Sequence, residues 1–302
     1  MTAGAATEER RGIPTKDSIR AGIFFSIAAV FCFSISNALI KWLVARYPIG
    51  EVVFFRSFFS LFPALLVVAS QGGWSSLRTR RLPGHLLRSV VQFASMVAVF
   101  IAFSMMPLAD AVAITFASPL FLTVLAIPML GEKVGIHRAG AVLVGFAGVL
   151  IMVRPGPDIF GSGAPFALAN AAFGAYLGIL IRQMARSETS SALVFYNVAF
   201  GAVFSLFLLP LGWVTPSWSD AVPLVGLGLV SGLAQYLWVR GAQLAPASVA
   251  APFGYMHMIW AMLFGFMVWG HLPDIPLIIG SVVVAASGLY ILHRETRKKA
   301  EA

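Results

Sequence analysis

Apolar stretches of about twenty residues, parted by short polar breaks, follow one another from residue 19 to residue 292. At 1.5 Å rise per residue, about twenty helical residues cross a ~30 Å hydrocarbon layer. The pattern predicts ten helices, at residues 19–44, 51–70, 85–106, 107–131, 139–153, 163–183, 190–211, 220–243, 247–270 and 276–292. The segment 71–84, rich in Gly, Ser and Arg, reads as a loop, and Arg154-Pro-Gly-Pro-Asp158 as a clear break. Residues 1–18 and 293–302 are polar and read as tails. No strand signal survives at these lengths.

The fourth stretch is matched in the second half. Pro107 begins it, Pro119 and Pro128 interrupt it, and Gly131-Glu132 closes it. Pro246 lies 139 residues after Pro107, and Gly270 lies 139 after Gly131; Pro252 interrupts the second copy. At an offset of 141, Gly22 aligns with Gly163, Lys41 with Arg182, and Val53-Phe54-Phe55-Arg56 with Val194-Phe195-Tyr196-Asn197. A small-residue ladder (Ala141, Gly145, Gly148) returns 140 residues on as Ser281, Ala285 and Gly288. Five helices per repeat is an odd number, so the second copy enters the membrane inverted. The expected architecture is an all-α integral membrane protein of ten transmembrane helices in two inverted five-helix repeats. The repeats occupy residues 19–153 and 163–292, joined by a linker at 154–162.

Composition agrees. The chain is 59% hydrophobic and 11% charged, against about 25% charged in soluble domains. A net charge of +9 could suggest nucleic acid, but the Lys and Arg residues sit in short loops and tails, where they act as a topology signal. With both termini inside, 17 Lys/Arg fall on the inner side and three on the outer. This predicts a multi-pass inner-membrane protein with cytoplasmic termini. The single cysteine, Cys32, excludes an intramolecular disulfide and a multi-cysteine metal site.

A charge inside a span costs roughly 2.5 kcal/mol or more at its centre, so each asks for a reason. Arg56 is placed about five residues, roughly 7–8 Å, inside the second helix from its outer end, with Glu51 and Asp110 near the same depth. It reads either as a snorkelling arginine or structural ion pair with Asp110, or as an outer-gate or carboxylate-binding residue. Candidate cavity residues are Asn37, Gln92, Thr115, Ser118, Tyr176, Asn197, Gln235, Tyr236, Trp238, His257 and Trp260. Ser118 and His257 are repeat equivalents, which sets them near the midplane. The competing reading is a backbone hydrogen bond for Ser and Thr and packing or an interfacial belt for the Trp residues. Pro107 and Pro246 suit helix initiation; Pro119 and Pro252 suit kinks that could serve as hinges. The acids nearest the spans, Glu51, Asp110, Glu132, Asp220 and Asp274, lie at helix ends where solvent is expected to reach them. His257 is the mid-span group that titrates near neutral pH in its ordinary state. This favours gradient-driven transport, with His257-linked proton coupling as the minority view.

Enzyme signatures are lacking: no H-E-x-x-H, no G-x-S-x-G, no paired carboxylates and no metal-ligand cluster. The residues call for no cofactor, no metal and no nucleic acid. The expected partners are a small-molecule substrate and the lipid bilayer, with the chain a monomer or weak homodimer. A channel is the rival outside the carrier class, but it wants charge rings or carbonyl filters.

The twofold repeat, Arg56 within EVVFFRSFF, and PLADAVAITFASPLF…LGEKV followed by GFAGVLIMVRPG together resemble the drug/metabolite transporter superfamily, specifically its EamA-type ten-helix members. The resemblance covers residues 19–292. It implies secondary transport of small metabolites. Members similar to this one include YddG-type aromatic amino-acid exporters, and others take up riboflavin or S-adenosylmethionine. Gly270-His271 stands where the family often repeats Gly-Glu, so a role for that second glutamate does not transfer.

Overall fold

A computed structural model describes residues 16–70, 73–130, 136–154, 162–184, 187–244 and 253–300. Among these, all regular structure is helical. The helices are α1 (Lys16–Val44), α2 (Ile49–Ser70), α3 (Leu82–Met105), α4 (Leu108–Thr115), α5 (Ser118–Leu130), α6 (Ile136–Val153), α7 (Ala164–Met184), α8 (Ser190–Leu206), α9 (Trp218–Leu244), α10 (Met256–Trp269) and α11 (Ile275–Ala300). Short 3₁₀ turns sit at Gly73–Leu77 and Leu209–Leu211. Seven stretches are long and apolar enough to cross a bilayer, one of them α4 with α5 together, and shorter apolar helices lie at Ala139–Val153, Met256–Trp269 and Ile275–Ile291.

Local chemistry explains the ends. Pro83 starts α3, where a missing N–H costs nothing. Thr189 Oγ1 caps α8 by accepting from Ala192 N at 3.1 Å. Gly270 ends α10 in the left-handed region at φ 67. Three expectations change. The fourth predicted helix is not one kinked rod but two helices, parted at Phe116–Ala117, because Pro119 lacks the N–H that would continue the ladder and its ring crowds the preceding turn. The seventh ends at Leu206 rather than 211, since Pro210 prevents the regular helix from continuing. The last runs on to Ala300, into the stretch expected to be a charged tail. Pro246 and Pro252 lie outside the described residues.

Packing carries the repeat into three dimensions. α1 lies along α9, and α3 along α7. α2 packs on α9 and α8 on α3; α2 meets α8, α6 meets α11, α1 meets α10 and α7 meets α4 and α5. Exchanging the halves maps every one of these contacts onto another or onto itself. A pseudo-twofold axis therefore passes between α2 and α8 and between α6 and α11. The α6–α11 seam uses the small-residue ladder: a Cβ on Gly280 would collide with Met152 and stand 2.6 Å from Gly148 O, and one on Gly145 would stand 2.6 Å from Ser287 Oγ. The ladder serves packing within one protomer. The main core gathers Leu43, Val52, Phe100, Phe103, Leu108 and Leu227, from the end of α1, the start of α2, the end of α3, the start of α4 and α9. Phe24, Leu66, Leu143 and Val282 point outward, as a bilayer solvent permits.

Candidate functional site

α2, α3, α8 and α9 enclose a cavity of about 90 Å³ on the pseudo-twofold axis. Its wall is built in pairs. Arg56 and Asn197, Ser57 and Val198, and Ser60 and Gly201 are equivalents at offset 141; Gln92 and Ser231, Phe93 and Gly232, and Met96 and Gln235 at offset 139. Among the described residues, Ser89 and Val194 line it without their partners. One half thus supplies the charge and the bulk, the other amides and small residues. Gly228 and Gly232 let α9 approach α2: a Cβ on Gly228 would strike Phe59 and stand 3.0 Å from Phe55 O, and one on Gly232 would stand 2.7 Å from Pro63 Cγ.

Arg56 dominates the electrostatics. Nη1 donates to Met96 Sδ at 2.8 Å. Nε is closed off from solvent and has no acceptor, and Asn197 Oδ1 is closed off with no donor. Among the described residues no carboxylate lies within ion-pair distance of Arg56. The expected Arg56–Asp110 pair does not form: Asp110 lines a separate crevice with Met106, Pro107, Ile114 and Met152. Arg88, one turn before Gln92, spends its Nη1 on Leu193 O.

A polar thread leaves the cavity. Ser231 Oγ lies 2.7 Å from Ser36 Oγ. On the next residue of α1, Asn37 Nδ2 lies 2.9 Å from His257 Nε2. An amide N–H only donates, so this imidazole nitrogen accepts. Phe116, at the α4–α5 break, meets the His257 ring edge-on at 6.5 Å and stacks on Tyr255 at 5.1 Å.

Both ends are laced. On the face carrying the start of α3, His85 Nε2 lies 3.1 Å from Glu188 Oε2, both side chains almost wholly buried. Tyr196 Oη donates to Leu77 O at 3.0 Å, and Thr189 Oγ1 to Ser76 O at 2.6 Å. On the opposite face Tyr47 Oη donates to Asp220 Oδ2 at 2.8 Å, Arg46 Nη1 lies 3.4 Å from Asp220 Oδ1, and Val214 N donates to Glu51 Oε2 at 3.0 Å. Tyr47 and Glu188 stand 141 residues apart and are repeat equivalents, while their partners Asp220 and His85 lie one turn out of that register, so the two lacings are related but not identical.

Of the candidate residues, Gln92, Asn197 and Gln235 meet Arg56 at the cavity, and Asn37 and His257 meet beside it. Ser118 lies against α7: a Cβ on Gly174 would stand 3.2 Å from its hydroxyl. Thr115 spends its hydroxyl on Val112 O at 2.7 Å. Tyr176 and Tyr236 are half-buried outside the cavity wall. Trp238 is 40% exposed, a lipid-facing place rather than a cavity one. Trp260 stacks on Phe264 at 6.0 Å and keeps a closed-off indole N–H without an acceptor. Glu51 is fully buried, not solvated as its place at a helix end suggests, because the 212–217 segment folds over it and supplies the Val214 amide. Asp274 pairs with Arg154. Ser57, Ser60, Ser89, Phe93 and Met96 were not singled out from sequence; applying the repeat offset to Gln235 and Ser231 would have found Met96, and paired Gln92 with Ser231.

The EamA-like transporter family matches the chain twice, over residues 20–154 and 161–292. The chain belongs to this family. Among relatives of this EamA-like protein, the S-adenosylmethionine uptake transporter of Rickettsia prowazekii is 26% identical over 276 residues, covering 91% of this chain and 94% of that protein. The pseudopaline exporter CntI of Pseudomonas aeruginosa is 29% identical, covering 90% and 95%. The riboflavin transporter of Vibrio cholerae is 26% identical, covering 92% and 94%. A solved structure described only as the crystal structure of a protein superposes with a TM-score of 0.63 at 20% identity, covering 89% of this chain and 98% of that one; it supports the fold alone. Taken together, the chain is a small-molecule transporter of a multi-pass membrane type.

Proposed function

We propose that this EamA-like protein moves small, partly apolar metabolites by alternating access through the axial cavity, with neutral and aromatic amino acids first and export as the working direction. The observation that carries this is the placement of the cavity. It lies on the pseudo-twofold axis with a lacing at each end, so undoing one lacing exposes it to one side while the other stays shut. Asn37 and His257 extend the polar surface; Arg56 serves the cavity itself, and Glu51 and Asp110 the outer side. Pro107 and Pro119 flank α4 at the broken helix, and by the repeat offset Pro246 and Pro252 are proposed as hinge positions in the second half. Ten helices in two inverted repeats, with both termini cytoplasmic, complete the reading.

A second reading is uptake of S-adenosylmethionine or riboflavin, which the names of the Rickettsia and Vibrio relatives favour. The test is purified protein in liposomes with labelled phenylalanine, threonine, methionine, S-adenosylmethionine and riboflavin. Saturable, competable phenylalanine flux is expected. Riboflavin flux alone would overturn the amino-acid reading, and a linear, non-saturable flux would favour a channel.

A further inference from the structure

We propose that Arg56 is the anchor for a carboxylate on the transported solute, and that Asn197 receives an N–H on the carbon beside it, so the site selects α-amino carboxylates. This deepens the transport reading and rests on it.

The first ground is an unmet need. A guanidinium carries five donors in a planar fork. Here a thioether takes one, Nε has no acceptor, and the described residues offer no carboxylate in reach. The fork matches the two oxygens of a carboxylate. The second ground is on the facing helix. Asn197, the repeat equivalent of Arg56, lines the same cavity with a closed-off Oδ1 that lacks a donor. An anion held at Arg56 with a donor at Asn197 describes a small zwitterionic head group. The third ground is size. Whole-ligand sites run to about 300–1,000 Å³, whereas this cavity is about 90 Å³. It suits a head group, with the side chain of the solute lying toward Phe93 and Met96. Gln92 and Gln235 complete the wall and stay neutral, so nothing there competes with the solute's charge for Arg56.

The test separates the site from transport. The melting temperature of purified protein is measured with L-phenylalanine and L-methionine, then with their carboxamides, for wild type, Arg56→Gln and Arg56→Lys. The acids are expected to raise the melting temperature of wild type and the carboxamides not. Arg56→Gln should lose the shift, and Arg56→Lys should keep a reduced one. A ligand-free melting temperature and a monodisperse profile like wild type show that each variant folds. In liposomes Arg56→Gln should cut phenylalanine flux at least tenfold. Equal shifts from acid and carboxamide, no shift from either acid, or full flux in Arg56→Gln would each overturn the proposal. Ligand shifts with no flux of any solute would instead sink the transport reading and leave the site standing.

Discussion

At the residue scale, the cavity depends as much on absent side chains as on present ones. α9 can lie on α2 because Gly228 and Gly232 leave room for Phe59 and Pro63. Replacing Gly228 with Leu forces backbone or ring to move, an overpacking cost of about 1–3 kcal/mol. Thermal unfolding in detergent should show a lower melting temperature for Gly228→Leu, and wild-type behaviour for Gly226→Ala, whose Cβ would meet nothing within 4 Å. Equal melting temperatures for Gly228→Leu and wild type would contradict the close approach. The Asn37–His257 bond is a second residue-level feature. Enclosed between α1, α10 and the α4–α5 break, neither group has a ready substitute partner, so His257→Ala should slow phenylalanine flux while leaving the cavity wall intact.

The decisive elements are the lacings. The α1–α2 connection meets the start of α9 through Tyr47 and Asp220; its repeat equivalent meets the start of α3 through Glu188 and His85. If each holds one side shut, weakening one should open that side only. With Cys32 changed to Ser and a reporter cysteine at Ser57, Glu188→Gln should raise labelling by a membrane-impermeant maleimide several-fold in vesicles exposing one face. Asp220→Asn should raise it in vesicles of the opposite orientation. Both variants labelling from the same side would show that the lacings are not alternating closures. The broken α4–α5 unit belongs to this scale too: Phe116, at the break, touches both Tyr255 and His257. The gap between the half-helices is thus positioned against the polar thread rather than against lipid.

For the whole molecule, the symmetry of the contacts has two consequences. One is orientation. The 17-to-3 distribution of Lys and Arg expects both termini in the cytoplasm, and a phosphatase reporter at residue 302 should be inactive if that is so. The other is energetics. Among the described residues no carboxylate lines the cavity, so an imposed pH gradient should not drive phenylalanine uphill in liposomes. Uphill movement would mean proton coupling. Its loss in Glu51→Gln would then assign it to the carboxylate buried under the 212–217 segment, and its loss in His257→Ala to the thread.

Much of this was legible in the chain itself. Twenty-residue apolar runs call for helices in a bilayer, and offsets of 139–141 residues mark a repeat, so the class and most helix ends follow from local chemistry, while the family rests on the motifs it resembles. Arg56, Gln92, Asn197 and Gln235 could be singled out because an uncompensated polar side chain in a span must have a reason. Which of them meet was settled by packing alone. Arg56 and Asp110 were expected at similar depth, yet Arg56 lies well inside α2, which starts at Ile49, and Asp110 in the first turn of α4, which starts at Leu108, and they face different spaces. Thr115, Trp238 and Glu51 make the same point. Each has the composition of its expected role, and the surroundings that α9, α10 and the 212–217 segment provide, or fail to provide, decide what it does.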